Sequence, residues 1–139
     1  MSQPDTPLFD TEAWRERMDE RWFDTGVAMA EKGDVDLVSI EDEKVTAHVI
    51  GSVGDLYVVQ LWAPAGEGTC TCPGFEKFGA CKHQAAVVTA ANAADLSKVR
   101  DRMAQLRDGL ALDSKDALIE RLAELARLQP AVLAALEGR

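Results

Sequence analysis

The chain has 139 residues, 47% hydrophobic and 28% charged, with 24 acidic against 15 basic side chains and a net charge of −9. That size and balance suit one soluble globular domain with a core of its own, and no run approaches the ~20 apolar residues of a membrane-spanning helix. The acidity is uneven: residues 1–60 hold 14 acids and 5 bases, residues 61–112 hold 5 and 6, and residues 113–139 hold 5 and 4, which excludes a strongly basic DNA-binding face but not a small local one.

Residues 1–10 carry acids and prolines instead of a basic stretch followed by an apolar run, so they read as a flexible N-terminus rather than a signal peptide, and a cytoplasmic location is expected. Asp10 and Thr11 are N-cap candidates, and Trp14, Met18 and Trp22 recur every four residues, which predicts an amphipathic helix over residues 11–32 with Gly33 as its stop. Gly26 inside that run marks either a close helix packing or a break. From Val35 the period becomes strand-like. Val35 to Ile40 and Val45 to Ile50 flank the polar turn Glu41-Asp42-Glu43 as a β-hairpin, and Leu56 to Trp62 follows as a third strand. A fourth, brief strand is expected to carry Cys70 and Cys72.

Residues 84–93 are rich in alanine and valine and read as a buried helix. Leu96, Val99, Met103, Leu106 and Leu110 form the stripe of a second helix, and Leu118, Leu122 and Leu125 the inward face of a third opened by Asp113 and Asp116. Pro130 suits the first turn of a last short helix with Val132, Leu133 and Leu136. The fold class expected is α+β: an N-terminal helix, a small antiparallel β-sheet, a strand-to-helix joint at the cysteines and a C-terminal helical layer. The expected domain runs over residues 11–94, with the helices of residues 95–139 packed on it.

All three cysteines and one of the two histidines fall in one array, Cys70-Thr71-Cys72, eight residues, then Cys81-Lys82-His83. Three thiolates and an imidazole complete a tetrahedral Cys₃His shell, the closed ligand set of one structural Zn²⁺, although iron could take the same ligands. In a strand, residues i and i+2 share a face, so Cys70 and Cys72 lie ~6.5 Å apart with both sulfurs on one side. On a helix the same spacing points to opposite sides, so Cys81 is expected to cap a helix and His83 to sit in its first turn. Pro73, Gly74 and Gly79 would bend the link between the pairs. The ligated site would carry a formal charge of −1, which Lys82 and Lys77 can offset. A thiol redox role for Cys70 and Cys72 competes with this, but leaves Cys81 and His83 unexplained. His48 lies mid-strand and reads as an ordinary strand residue.

Cys-x-Cys-x₈-Cys-x-His, preceded by Tyr57-Val-Val-Gln-Leu-Trp62 and followed by Gln84-Ala-Ala-Val-Val, resembles the SWIM zinc finger, with residues 56–90 as the finger core. The upstream helix and hairpin, including Gly33 to Gly51, are similar, more loosely, to the region before the finger in small bacterial SWIM proteins. In that family a strand pair carries Cys-x-Cys and a helix carries Cys-x-His, so the resemblance implies Cys70, Cys72, Cys81 and His83 as ligands. Its members include Swi/Snf-type ATPases, Mutator-type transposases and recombination accessory factors. The resemblance thus implies a module binding DNA or another nucleic acid, or serving a protein partner such as a Swi/Snf-type helicase or recombination factor.

This sequence has neither G-x-x-x-x-G-K-[ST] nor a strand-linked G-x-G-x-x-G, and its acids form no evident acid/base pair, so no enzyme activity and no small-molecule substrate are expected. A pure protein adaptor using the acidic half or the leucine-bearing helices is the competing reading. Trp14, Trp22 and Trp62 read as core. Phe75 and Phe78, beside Lys77 and Lys82, are either contact residues or packing over the site. Lys98 lies on a helix where bases and acids interleave, a solvated face or a contact residue.

Overall fold

The computed structural model describes residues 7–138. Its elements in chain order are helices α1 (Thr11–Arg15) and α2 (Glu20–Lys32), strands β1 (Val35–Glu41), β2 (Lys44–Ile50), β3 (Leu56–Trp62) and β4 (Gly68–Cys70), and helices α3 (Pro73–Phe78), α4 (Lys82–Ala93), α5 (Leu96–Ala111), α6 (Lys115–Leu128) and α7 (Pro130–Leu136). This is the expected α+β architecture. The strands form one antiparallel sheet in the order β1-β2-β3-β4. Among the described residues no helix is long and apolar enough to cross a membrane. The chain divides into two compact units after Met103, inside α5.

In the first unit, strict alternation on β2 buries Val45, Ala47 and Val49. Directly paired residues share a face, so Leu37, Ala47, Val59 and Cys70 make one row across the four strands. That face packs on α4, whose Ala85, Ala86, Val87, Val88 and Ala91 are all buried. A helix apolar all round needs cover on every side. The sheet supplies one side of α4 and α2 another.

The predicted single helix over residues 11–32 is two helices. Asp10 caps α1 by accepting the Ala13 N–H, and Asp19 caps α2 by accepting the Arg21 N–H. The chain bends between them, where Arg17 donates to the carbonyls of Ala65 and Gly66 and its guanidinium lies 4.0 Å from the Trp14 ring centroid. The break changes the helical phase. Phe23, Gly26 and Met29, rather than Trp22, become the buried face of α2. Gly26 is a close packing point: a Cβ there would lie 2.5 Å from Ala85 Cβ, 2.7 Å from Ala86 N and closer still to Lys82 O. Gly33 ends α2 with φ 86°, a left-handed conformation glycine adopts without strain.

Of the segment expected to be flexible, residues 1–6 lie outside the described residues. Phe9 is 1% exposed, edge-on to Trp14, with its backbone N–H and carbonyl both bonded to the Asn92 side chain. At the start of α5, Val99 is buried, and Arg102 donates to the Asp36 carboxylate and the Leu37 carbonyl on β1. In the second unit α6 and α7 pack on each other, with Ser114 capping α6 and Pro130 opening α7. Leu122 and Leu125 do not face inward as expected: they are 45% and 44% exposed, and Ala126 is the buried residue of α6.

Candidate metal centre

Three local devices bring the four ligands together. Cys70 ends β4, whose pairing with Val59 on β3 turns its side chain to the inner face of the sheet. Cys72 lies beyond the strand, contrary to expectation. It is the N-cap of α3, extended at φ −79° and ψ 157°, and its Sγ accepts the Phe75 N–H at 3.3 Å. The link between the ligand pairs is therefore helical, opened by Pro73 at its first turn and closed by Gly79 at φ 76°. Gly74 lies within that helix rather than at a bend. Cys81 is the N-cap of α4 and His83 lies in its first turn, as the spacing predicts.

The four side chains are buried, and their ligand atoms all lie within 4.8 Å of one another. A tetrahedron with Zn–S near 2.3 Å has S···S edges of about 3.8 Å, so a slight contraction closes the cluster on one ion. The Cys70 Sγ to His83 Nδ1 separation, 3.7 Å, is already of that size. Among the described residues, His83 Nε2 is a buried nitrogen without a hydrogen-bond partner. Three free thiols and an imidazole gathered in one buried cluster are unfavourable for an apolar core but suited to a metal shell. The residues fit one structural Zn²⁺. With four protein ligands no coordination position is left for water or substrate.

Without metal the thiols share their protons unequally. Cys81 is pulled down to about 4, first by the hydrogen bond from Cys70, with His83 and the Gln84 N–H helping and burial opposing. Cys70 is pushed up, chiefly because it keeps the proton it shares with Cys81, and burial adds to this. Cys72 is raised by burial, partly offset by the Phe75 N–H. Zinc must displace the remaining thiol protons, so binding releases protons.

Beside the centre lies a cleft of about 440 Å³, whose wall includes Trp22, Thr25, Ser52, Tyr57, Phe78 and Lys82 with Cys72, Cys81 and His83. The predicted contact residues divide on it. Phe78 lines the cleft, 58% exposed, with its ring 5.3 Å from that of Trp22, and Lys82 lines it too. Lys77 reaches over the Phe78 ring at 5.3 Å. Phe75 is partly buried against the core, and Lys98 is exposed on α5; neither lines the cleft. His48 sits on β2 opposite Asp36 and Val58, apart from the ligand cluster.

Trp22 and Tyr57 line the cleft, although along the sequence Trp22 reads as core. Trp22 shares a four-residue spacing with the core residue Trp14, and only the cap at Asp19 hints that the phase restarts. Tyr57 stands on the inner face of β3 and packs on His83, ring centroids 4.9 Å apart. Trp14 is core, as read, whereas Trp62 is half-buried with Lys44 5.8 Å from its ring.

Residues 57–92 match the family model of the SWIM zinc finger, a non-catalytic type of module, and the match spans all four ligands. No curated protein and no solved structure matches the chain significantly.

Proposed function

From a chain that carries a SWIM zinc finger at residues 57–92, we propose a non-catalytic interaction module that binds nucleic acid, alone or within a DNA-processing complex. One observation carries the reading: a closed, buried Cys₃His centre holds the turn from β4 through α3 to α4 and presents Phe78, Lys77 and Lys82 at its surface. The zinc is structural, so recognition belongs to the side chains around it. Three free cysteines gathered as metal ligands suit a reducing cytoplasm. Protein partners of the Swi/Snf-helicase or recombination-factor kind are compatible with the same surface.

The test is a salt titration of oligonucleotide binding by the zinc-loaded protein. Affinity is expected to fall with salt, and Lys77→Glu or Lys82→Glu should weaken it. Binding that ignores both changes would reject the reading. The competing adaptor reading is favoured by the exposed apolar residues Ile119, Leu122, Leu125 and Leu128 on α6. It predicts that Leu122→Glu abolishes partner capture while the lysine variants and nuclease treatment leave it intact.

A further inference from the structure

We propose that the cleft beside the zinc centre holds one unstacked base of a single-stranded nucleic acid, its ring against Trp22, Tyr57 and Phe78 and its phosphate at Lys82. This rests on the nucleic-acid reading above and adds to it a strand type and a subsite. At about 440 Å³ the cleft falls within the roughly 300–1,000 Å³ range of small-ligand sites. Its aromatic residues come from three elements, α2, β3 and α3. Phe78 is held outward on a short helix capped by Cys72 and Gly79, so zinc ligation and the placement of this ring are coupled.

Charge selects the occupant. In a chain with 24 acids, no carboxylate among the described residues lines the cleft, and its cation is Lys82, beside the Cys72 and Cys81 sulfurs that belong to the metal shell. Aromatic faces with one cation match a base bearing a phosphate. Thr25 and Ser52, also in the wall, offer hydroxyls to base edges. A duplex keeps its bases stacked and offers only their edges, whereas a single strand can offer a free face. A peptide's apolar aromatic side chain would use the walls but not the lysine.

The experiment compares the zinc-loaded protein's affinity for a short oligothymidine with that for the same strand made abasic, by fluorescence anisotropy. Stacking of one base predicts that the abasic strand binds on the order of 5- to 150-fold more weakly. Phe78→Ala and Trp22→Ala should each weaken oligothymidine binding and leave abasic binding nearly unchanged. Phe78 is exposed enough that its variant should fold, which zinc content and circular dichroism would verify. Lys82→Ala should reduce the slope of log K against log salt by about 0.7, the value for one phosphate on a single strand. Equal affinity for the two strands, or aromatic variants that weaken both alike, would overturn the cleft as a base site while leaving nucleic-acid binding in place. Absence of binding to any strand would instead reject the nucleic-acid reading and the cleft with it. Displacement of oligothymidine by an aromatic peptide without loss on Lys82→Ala would assign the cleft to a protein partner and overturn the proposal.

Discussion

Gly26 shows how little room the centre leaves around itself. A methyl group there would press on Lys82 O, Ala85 Cβ and Ala86 N, two of these backbone atoms of the first turns of α4. Backbone cannot rotate away as a side-chain tip can, so Gly26→Ala should cost about 1–3 kcal/mol. Since Lys82 lies between two ligands, the same variant should surrender zinc to a chelator faster than the parent; denaturant midpoints and a chromophoric chelator assay would check both. Cys81→Ser should take bound zinc from one equivalent to none by elemental analysis, because it removes one of the four ligand atoms. Zinc affinity in the parent should fall as pH falls, since protons compete with the metal for the Cys70 and Cys72 thiolates. A pH-independent zinc affinity between neutral and mildly acidic conditions would contradict this.

At the scale of elements, the joints matter more than the helices and strands they connect. Arg102 ties the first turns of α5 to β1, 2.6 Å from the Asp36 carboxylate. Both side chains are about half exposed, so Arg102→Ala should cost no more than about 1 kcal/mol. Arg102, through its hydrogen bond, holds the Asp36 carboxyl below its ordinary value, with burial opposing. A depressed carboxylate pKa means the stabilisation is fully present above the unfolded value and lost as pH falls through the folded one. The parent and Arg102→Ala should therefore converge in stability in acid and differ most at neutral pH, as denaturation at several pH values would reveal.

For the whole molecule, zinc is one support among several. The first unit has a core that includes Phe9, Trp14, sheet residues and α4 residues, with Cys70, Cys72 and Cys81 only three of its many members. Chelation should release β4 and α3 while α2, α4 and β1 to β3 retain much of their order, unlike minimal fingers that unfold outright. Circular dichroism should keep most helical signal, and hydrogen exchange should quicken first around residues 68–83; complete unfolding on metal removal would refute it.

Much of this was legible along the chain because it depends on local periods. The two-residue alternation of Val45, Ala47 and Val49, the stop at Gly33 and the cap-and-first-turn placement of Cys81 and His83 follow from strand and helix geometry alone. So does the ligand set, because four metal-binding side chains at those spacings have few other uses. Tertiary structure decided what periodicity cannot carry. It split the first helix at residues 16–19, where Arg17 reaches backbone carbonyls some fifty residues away, and so turned Trp22 from the core toward a cleft. It moved Cys72 from a strand to a helix cap and turned Leu122 and Leu125 outward. Spacing fixes which side chains share a face of one element, but which face meets another element depends on contacts between residues far apart in the chain.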